Sequence, residues 1–294
     1  MRVIIAGSSG FIGTALCERL QRSGVELHRL VRSAPLASER TNEIFWQPGS
    51  PLDPAMLDGV DAVINLAGAS IAKMPWTAKR KRNILDSRMA ATATLVDALH
   101  ANPGPALINA SAVGFYGSRG DEPLTEVSAR GEGFLADVVA AWEDAALRAS
   151  DVARVALVRT GLVIGDGGAI VPLRALTTAG LGGNLGGGRQ WWPWISLHDE
   201  VAAIEFVLRS ELDGPVNLAG PTPATMGEIG RGLARRMHRP YFAHVPAFAL
   251  KLLLGDAGDE LLLSSQQLVP GKLVDAGFAF THQRAEQAID ALFA

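Results

Sequence analysis

The stretch Val3-Ile4-Ile5-Ala6-Gly7-Ser8-Ser9-Gly10-Phe11-Ile12-Gly13 decides the fold. Val3 to Ala6 is a short apolar run, and Thr14 to Leu20 carries on from Gly13 with Ile12, Leu16 and Leu20 four apart. This reads as a buried strand, a glycine turn and a helix with one apolar stripe. The glycine spacing is G-x-x-G-x-x-G, a variant of the dinucleotide-binding fingerprint. Gly7 allows a tight exit from the strand, Gly10 lets a pyrophosphate approach backbone, and Gly13 lets the helix sit close on the sheet. The helix start then offers unbonded N–H groups and about half a positive charge to phosphates. Ser8, Ser9, Phe11 and Ile12 complete this candidate phosphate turn.

Bulk composition narrows the rest. The chain has 294 residues and is 48% hydrophobic, enough for one large α/β domain or one plus a small lobe. Its formal charge of −3, with no long basic or acidic block, gives no footprint for nucleic acid. Cys17 is the single cysteine, which excludes an intrachain disulfide; beside Leu16 on the first helix it reads as a buried thiol. No apolar run approaches the roughly 18–20 residues that span a bilayer. The opening strand leaves no place for a signal peptide, so a cytoplasmic location is expected, with no membrane partner.

Further strands are expected at Val25–Val31, weakly at Glu43–Gln47, and at Ala62–Leu66, Ala106–Ala110, Val155–Val158 and Pro215–Leu218. Helices are expected at Asn83–His100, within Gly131–Ser150, and at Met226–Met237, Ala247–Leu254 and Arg284–Leu292. Strands and helices alternate through the first half, which argues a doubly wound parallel sheet. NAD enzymes place an acidic residue at the end of the second strand for the ribose 2′-OH. Here Val31 is followed by Arg32, whose guanidinium suits a 2′-phosphate, so NADP is the expected cofactor. The small residues of Leu66-Ala67-Gly68 let a cofactor lie across the fourth strand's carboxyl end. Asn83, Ser87 and Arg88, near the start of the long helix, are candidates to face it. The glycine-dense Gly180–Gly188 lacks a flanking strand and helix and reads as a loop, and Arg189–Ile195 as a tryptophan-rich one. From Pro221 onward the pattern is helical.

Four motifs carry a family resemblance: Gly7-x-x-Gly10-x-x-Gly13, Asn65-Leu66-Ala67-Gly68, Ser111-Ala-Val-Gly-Phe-Tyr116-Gly117 and Arg159-x-Gly161-x-Val163-x-Gly165. The chain resembles the extended short-chain dehydrogenase/reductases, and within them the epimerase-like family labelled nucleoside-diphosphate-sugar epimerase or NAD-dependent epimerase/dehydratase. The resemblance implies a Rossmann sheet with a small, mainly helical C-terminal substrate lobe. It implies that Gly7, Ser8, Gly10, Phe11, Ile12, Arg32, Leu66, Ala67, Arg88 and Val163 line NADP. The expected division is 1–168, completed by about 195–220, for the dinucleotide-binding domain, and 169–194 with 221–294 for the lobe.

One family feature is missing. Extended members pair a Ser or Thr with a Tyr four residues before a Lys, which lowers the phenol's pKa. This chain has two tyrosines; Gly120 follows Tyr116 by four and Val245 follows Tyr241 by four. Aligning on Trp142-Glu143 puts Leu135 and Val139 where that Tyr and Lys would stand. Ser111 lies six before Gly117, whereas the family's Ser or Thr lies five before, at Ala112. Ser111, as a catalytic hydroxyl or a capping serine, and Tyr116, as a proton donor or a packed aromatic, remain the candidate catalytic pair. Asp137 is a weaker candidate base, and His198-Asp199 reads as a helix start with a structural aspartate. Trp76 and Trp191 either stack on substrate or cover the sheet edge, and Trp194 reads as the latter. No histidine has metal-ligand spacing, so no metal is expected. The two readings are an NADP-dependent, epimerase-like oxidoreductase acting on a small molecule, such as a nucleotide sugar, and a non-catalytic NADP(H)-binding regulatory protein. Monomer and homodimer both remain open.

Overall fold

The computed structural model describes residues 1–33 and 42–293. Seven strands form the central sheet: β1 (Arg2–Ala6), β2 (Glu26–Val31), β3 (Glu43–Phe45), β4 (Ala62–Asn65), β5 (Ala106–Ala112), β6 (Val155–Thr160) and β7 (Gly214–Leu218). All are parallel, in the order β7-β6-β5-β4-β1-β2-β3. Parallel strands are covered on both faces, which is why Val3–Ala6 and Ala62–Asn65 are buried throughout. The order reverses between β1 and β4, and ligands of such sheets bind at the carboxyl edge of that reversal.

Helices α1 (Phe11–Arg22), α2 (Ala78–Ala101), α3 (Phe134–Leu147), α4 (Ile170–Thr178), α5 (Leu197–Arg209), α6 (Met226–Arg236) and α7 (Ala247–Leu254) follow in chain order. Leu16 and Leu20 of α1 and Ile204 and Val207 of α5 pack with Val3 and Ile5 on one face. Leu95 and Leu99 of α2 and Ala146 of α3 pack with Ile4, Val63 and Leu107 on the other. A third core joins Trp192 and Trp194 to Ile229 and Leu233 of α6, Leu250 of α7 and Ile289.

The first turn is built from backbone contacts. Gly7 has φ +82°, and a Cβ there would stand 2.6 Å from the Leu66 carbonyl carbon. A Cβ on Gly13 would stand 2.2 Å from the Gly7 oxygen. Both glycines are therefore steric requirements of strand, turn and helix meeting at one point.

Three expectations are corrected. The glycine-dense stretch is not wholly loop: Gly182–Leu185 is a strand parallel to Tyr241–Val245, which itself interrupts the all-helical reading after Pro221. Gly183 explains the misreading, since a Cβ there would come within 1.9 Å of the Ala243 oxygen; the glycine serves strand contact. The tryptophan stretch also holds short strands, Trp191–Trp192 and Trp194–Ser196. Helix α4 had no counterpart in the sequence reading, whereas α5 starts at Leu197, as the helix-start signal at His198-Asp199 indicated.

Gly13→Ala should lower stability by about 1–3 kcal/mol, as overpacking of a closed contact does. A denaturant titration reads this as a lower midpoint at unchanged slope. An unchanged midpoint would mean the helix need not sit this close to the strand.

Candidate active site

The candidate cofactor residues gather along the carboxyl edge of the sheet. Gly10 is exposed at the N-cap of α1 with φ −76° and ψ 169°, has no side-chain cap, and donates its N–H to the Gly7 oxygen at 3.1 Å. No acidic residue occupies the first turn of α1, so its free N–H groups keep their positive field. Ser8 and Ser9 flank the turn, and Leu66 and Ala67 close it from the end of β4. Val31 and Arg32 end β2, with Arg32 exposed. The Phe11 ring is pressed on the Gly165–Gly168 loop, where a Cβ on Gly165 or Gly167 would come within 2.6 Å of it. Val163 leads into that loop and is buried.

Arg88 lies over Gly68, where a Cβ would be 3.2 Å from the guanidinium carbon. Its Nη1 donates to the oxygens of Ala69 and Ile84 at 3.0 Å each, and the guanidinium sits 4.9 Å from the centre of the Trp142 ring. Burial, then repulsion from Arg80, lowers its pKa to about 10. Ser87 accepts from the Ala69 N–H at 3.0 Å, so it shapes the loop. Asn83 is exposed on α2.

The β5 side of the edge is different. Ser111 donates to Glu143 Oε1 at 2.5 Å, and Arg159 grips Glu143 through Nε at 2.8 Å and Nη2 at 2.7 Å. Arg159 Nη1 donates to the Tyr116 oxygen at 2.8 Å, and Tyr116 donates to Asn217 Oδ1 at 2.7 Å. Glu126 accepts from the backbone N–H groups of Asn217 and Lys272, both at 3.1 Å. All of these side chains are buried. The chain of bonds ties β5, α3, β6 and β7 together, and a bidentate arginine–carboxylate pair is its centre.

The structure places both members of the candidate catalytic pair, Ser111 and Tyr116, within this network. Tyr116 is 0% exposed, and burial raises its pKa, so its phenol serves packing and this network. Ser111 faces α3 and spends its proton on Glu143. Alternation along β5 turns Ser111 away from the face that Ala112 presents. Leu135 and Val139 stand beside Gly114, at 3.1 and 3.7 Å from where its Cβ would be, which puts two aliphatic groups beside the end of β5. Asp137 is exposed and ion-paired with Arg130. Asp199 is structural, accepting from the N–H groups of Thr281 and His282 at 2.9 Å each, while Ser196 caps α5. Trp76 packs edge-on against Phe134, and Trp194 is buried with its indole N–H on the Thr222 oxygen. Trp191 is part-exposed and donates to Asp121 at 2.7 Å. Cys17 is buried, and desolvation raises its pKa, as an inert core thiol requires. Among the described residues no group of three or more His, Cys, Asp or Glu is placed to hold a metal ion, and no helix is long and apolar enough to cross a membrane.

Sequence reasoning missed Glu143, Arg159 and Glu200. Glu143 had a signal: it lies four and eight residues beyond Val139 and Leu135, on the same helix face. Glu200, in the first turns of α5, is 0% exposed; its Oε1 accepts from the Thr160 hydroxyl at 2.7 Å and its Oε2 is buried with no partner. Burial lifts its pKa to about 8. No sequence pattern distinguishes it from a solvated helical glutamate.

The sheet order, the glycine turn and the edge it opens on define a Rossmann-type dinucleotide-binding protein. The model of the NAD dependent epimerase/dehydratase family matches residues 3–219, and that of a domain of unknown function (DUF1731) matches residues 245–292. The chain belongs to the NAD dependent epimerase/dehydratase family. It is 43% identical over 292 residues to the epimerase family protein Mb2239 of Mycobacterium bovis, covering 98% of this chain and 96% of that one. It is 34% identical over 306 residues to the chloroplastic SDR39U1 homolog of Arabidopsis thaliana, covering 99% and 86%. The crystal structure of human epimerase family protein SDR39U1 with NADPH superposes with a TM-score of 0.88 at 28% identity over 99% of both chains.

Tyr116→Phe should cost about 1–3 kcal/mol of stability, because Asn217 Oδ1 and Arg159 Nη1 each lose a buried partner. A loss of activity at full stability would return Tyr116 to the chemistry. The acid Glu200 gives a pH signature. Its folded pKa of about 8 lies above the ordinary value of 4.5, so the folded state holds a proton that the unfolded state releases between them. Stability should therefore fall as pH rises from about 5 to 8, by a few kcal/mol, relative to Glu200→Gln. Parallel pH profiles for the two proteins would contradict the buried, protonated acid.

Proposed function

We propose that the chain binds NADP(H) along the carboxyl edge of β2, β1, β4 and β6 and acts on a small molecule, such as a nucleotide sugar, as an epimerase-like oxidoreductase. The observation that carries this reading is the uncapped, exposed N-terminus of α1, with Gly10 open above it and Arg32 at the end of β2. The residues fit the group. The turn supplies free N–H groups for a pyrophosphate, Gly10 leaves it room, and Arg32 supplies a cation for a 2′-phosphate. The NADPH held by the human SDR39U1 structure supports the same choice. A bound nicotinamide would supply hydride chemistry; the chain's residues would orient it and exclude water.

A second reading, NADP(H) held as a regulatory ligand without turnover, is favoured by one observation. Leu135 and Val139, the aliphatic residues that the sequence alignment sets at the Tyr and Lys positions, lie beside Gly114, and Tyr116 and Ser111 are bonded into the buried network. Turnover then depends on a protic group outside the usual pair, or does not occur.

Arg32→Ala should weaken NADP(H) by about tenfold or more and leave NAD(H) nearly unchanged, since a charge-assisted bond is worth roughly 1.5–3 kcal/mol. Calorimetric titration of both cofactors measures this. Equal losses for the two would remove Arg32 from the 2′-phosphate.

A further inference from the structure

Two cations at the start of α2 have no counter-charge. Among the described residues, the hydrogen bonds of the Arg80 and Arg88 guanidiniums all go to uncharged carbonyl oxygens: Arg80 Nη2 donates to Ser70, and Arg88 Nη1 to Ala69 and Ile84. A guanidinium is a fork of N–H donors with no acceptor, and most of these donors are left over. Both side chains are half-buried, and Arg80 Nε is fully buried with no partner. Arg159 shows the ordinary arrangement, since both oxygens of Glu143 meet it. Cations drawn out of water are as a rule paired in this way.

The acids nearby are committed elsewhere. Asp256, just past α7, pairs with Lys81. Glu260 accepts from the N–H groups of Phe134 and Leu135, at 3.0 and 2.7 Å, and so caps α3. Asp86 is exposed, two residues before Arg88 and off its helix face.

The helix period brings the two arginines together. Arg80, Ile84 and Arg88 recur at four-residue intervals and share one face of α2, where Ile84 is 0% exposed. That face meets the loop after β4, and the two guanidiniums hold consecutive carbonyls of it, Ala69 and Ser70. Such anchors keep the charges close, and repulsion from Arg80 contributes to the lowered pKa of Arg88. The loop leaves β4 at the carboxyl edge, where sheets of this kind bind ligands. Ile71, next along it, packs on the same small core as Trp76, Ile84 and Leu135, the last being the residue aligned with the family's tyrosine. Helices α1 and α2 cover opposite faces of the sheet, so the pair is separate from the N–H groups offered to the pyrophosphate.

We propose that Arg80 and Arg88 form a subsite for an oxyanion of the substrate, a phosphate or a carboxylate, beside the bound cofactor. This rests on the NADP(H) reading above and narrows its small molecule to an anionic one. The family resemblance gives Arg88 to NADP itself, so the test separates the two sources of anion.

Inorganic phosphate, and acetate as the carboxylate arm, are titrated calorimetrically into protein saturated with NADPH. Wild type should bind at least one of them saturably, and the tighter names the group. Arg80→Gln and Arg88→Gln should each weaken that anion by about tenfold or more, the worth of a charge-assisted bond. Arg88→Lys, which keeps the charge, should lose less. Lys79→Gln and Arg82→Gln, which remove exposed cations of the same helix, should change nothing. Circular dichroism confirms that each variant is folded. Equal losses in Lys79→Gln and Arg82→Gln would show diffuse attraction and overturn the subsite, as would no saturable binding of either anion. If NADPH displaces phosphate from the free protein, and Arg80→Gln and Arg88→Gln weaken NADPH instead, the anion is the cofactor's own and the substrate assignment is overturned. Failure of wild type to bind NADPH would overturn the cofactor reading, and the same titrations on the free protein would then uphold or overturn the arginine pair by itself.

Discussion

Backbone-on-backbone contact at Gly7 fixes where everything else on the cleft side can be. Gly7 touches the end of β4 at Leu66 and Ala67, and its carbonyl oxygen is met by Gly13 of α1. The Gly10 N–H bonds the same oxygen. Three elements therefore converge on one residue without a side chain between them. The N-terminus of α1 is held against the sheet's reversal point, which aims its unbonded N–H groups along the carboxyl edge. Any side chain at Gly7 would separate β1 from β4 and turn α1 away from the edge.

The polar groups on the two faces of β5 and β6 do different work. On the α3 face, Ser111, Glu143, Arg159, Tyr116 and Asn217 satisfy one another, and a buried pair such as Glu143–Arg159 costs 3–5 kcal/mol when one partner is removed, by common magnitude. That network locks the strands on which the cleft is built. It also consumes the hydroxyls that a reader of the sequence would assign to chemistry. On the α5 face Thr160 pairs with the buried Glu200 at 2.7 Å.

The fold was legible because it rests on period and on glycine. Val3–Ala6 and Ala62–Asn65 are apolar at every position, as strands covered on both faces must be, and the turn between β1 and α1 needs glycines that the sequence displays. Gly182–Leu185 escaped notice because glycine signals loop, whereas here Gly183 permits close strand contact. The glycine turn at the start of α1 was legible for the same local reasons. The roles of Ser111 and Tyr116 were not, because they depend on partners far along the chain: Glu143 for one, Arg159 and Asn217 for the other. Local sequence reports which groups can carry a proton, and only tertiary contact reports which are already occupied. Glu200 shows the converse, a helical acid whose importance comes entirely from burial.

The central claim is that the open N-terminus of α1 holds a dinucleotide phosphate. Gly10 allows a direct test. Its backbone, at φ −76° and ψ 169°, suits any L-residue, and a Cβ there meets only the Gly7 oxygen at 3.3 Å. Calorimetric titration of Gly10→Val with NADPH, on protein shown to be folded, should give no detectable binding where wild type binds, because the branched side chain fills the space above the free N–H groups. Unchanged affinity in the folded variant would contradict the account.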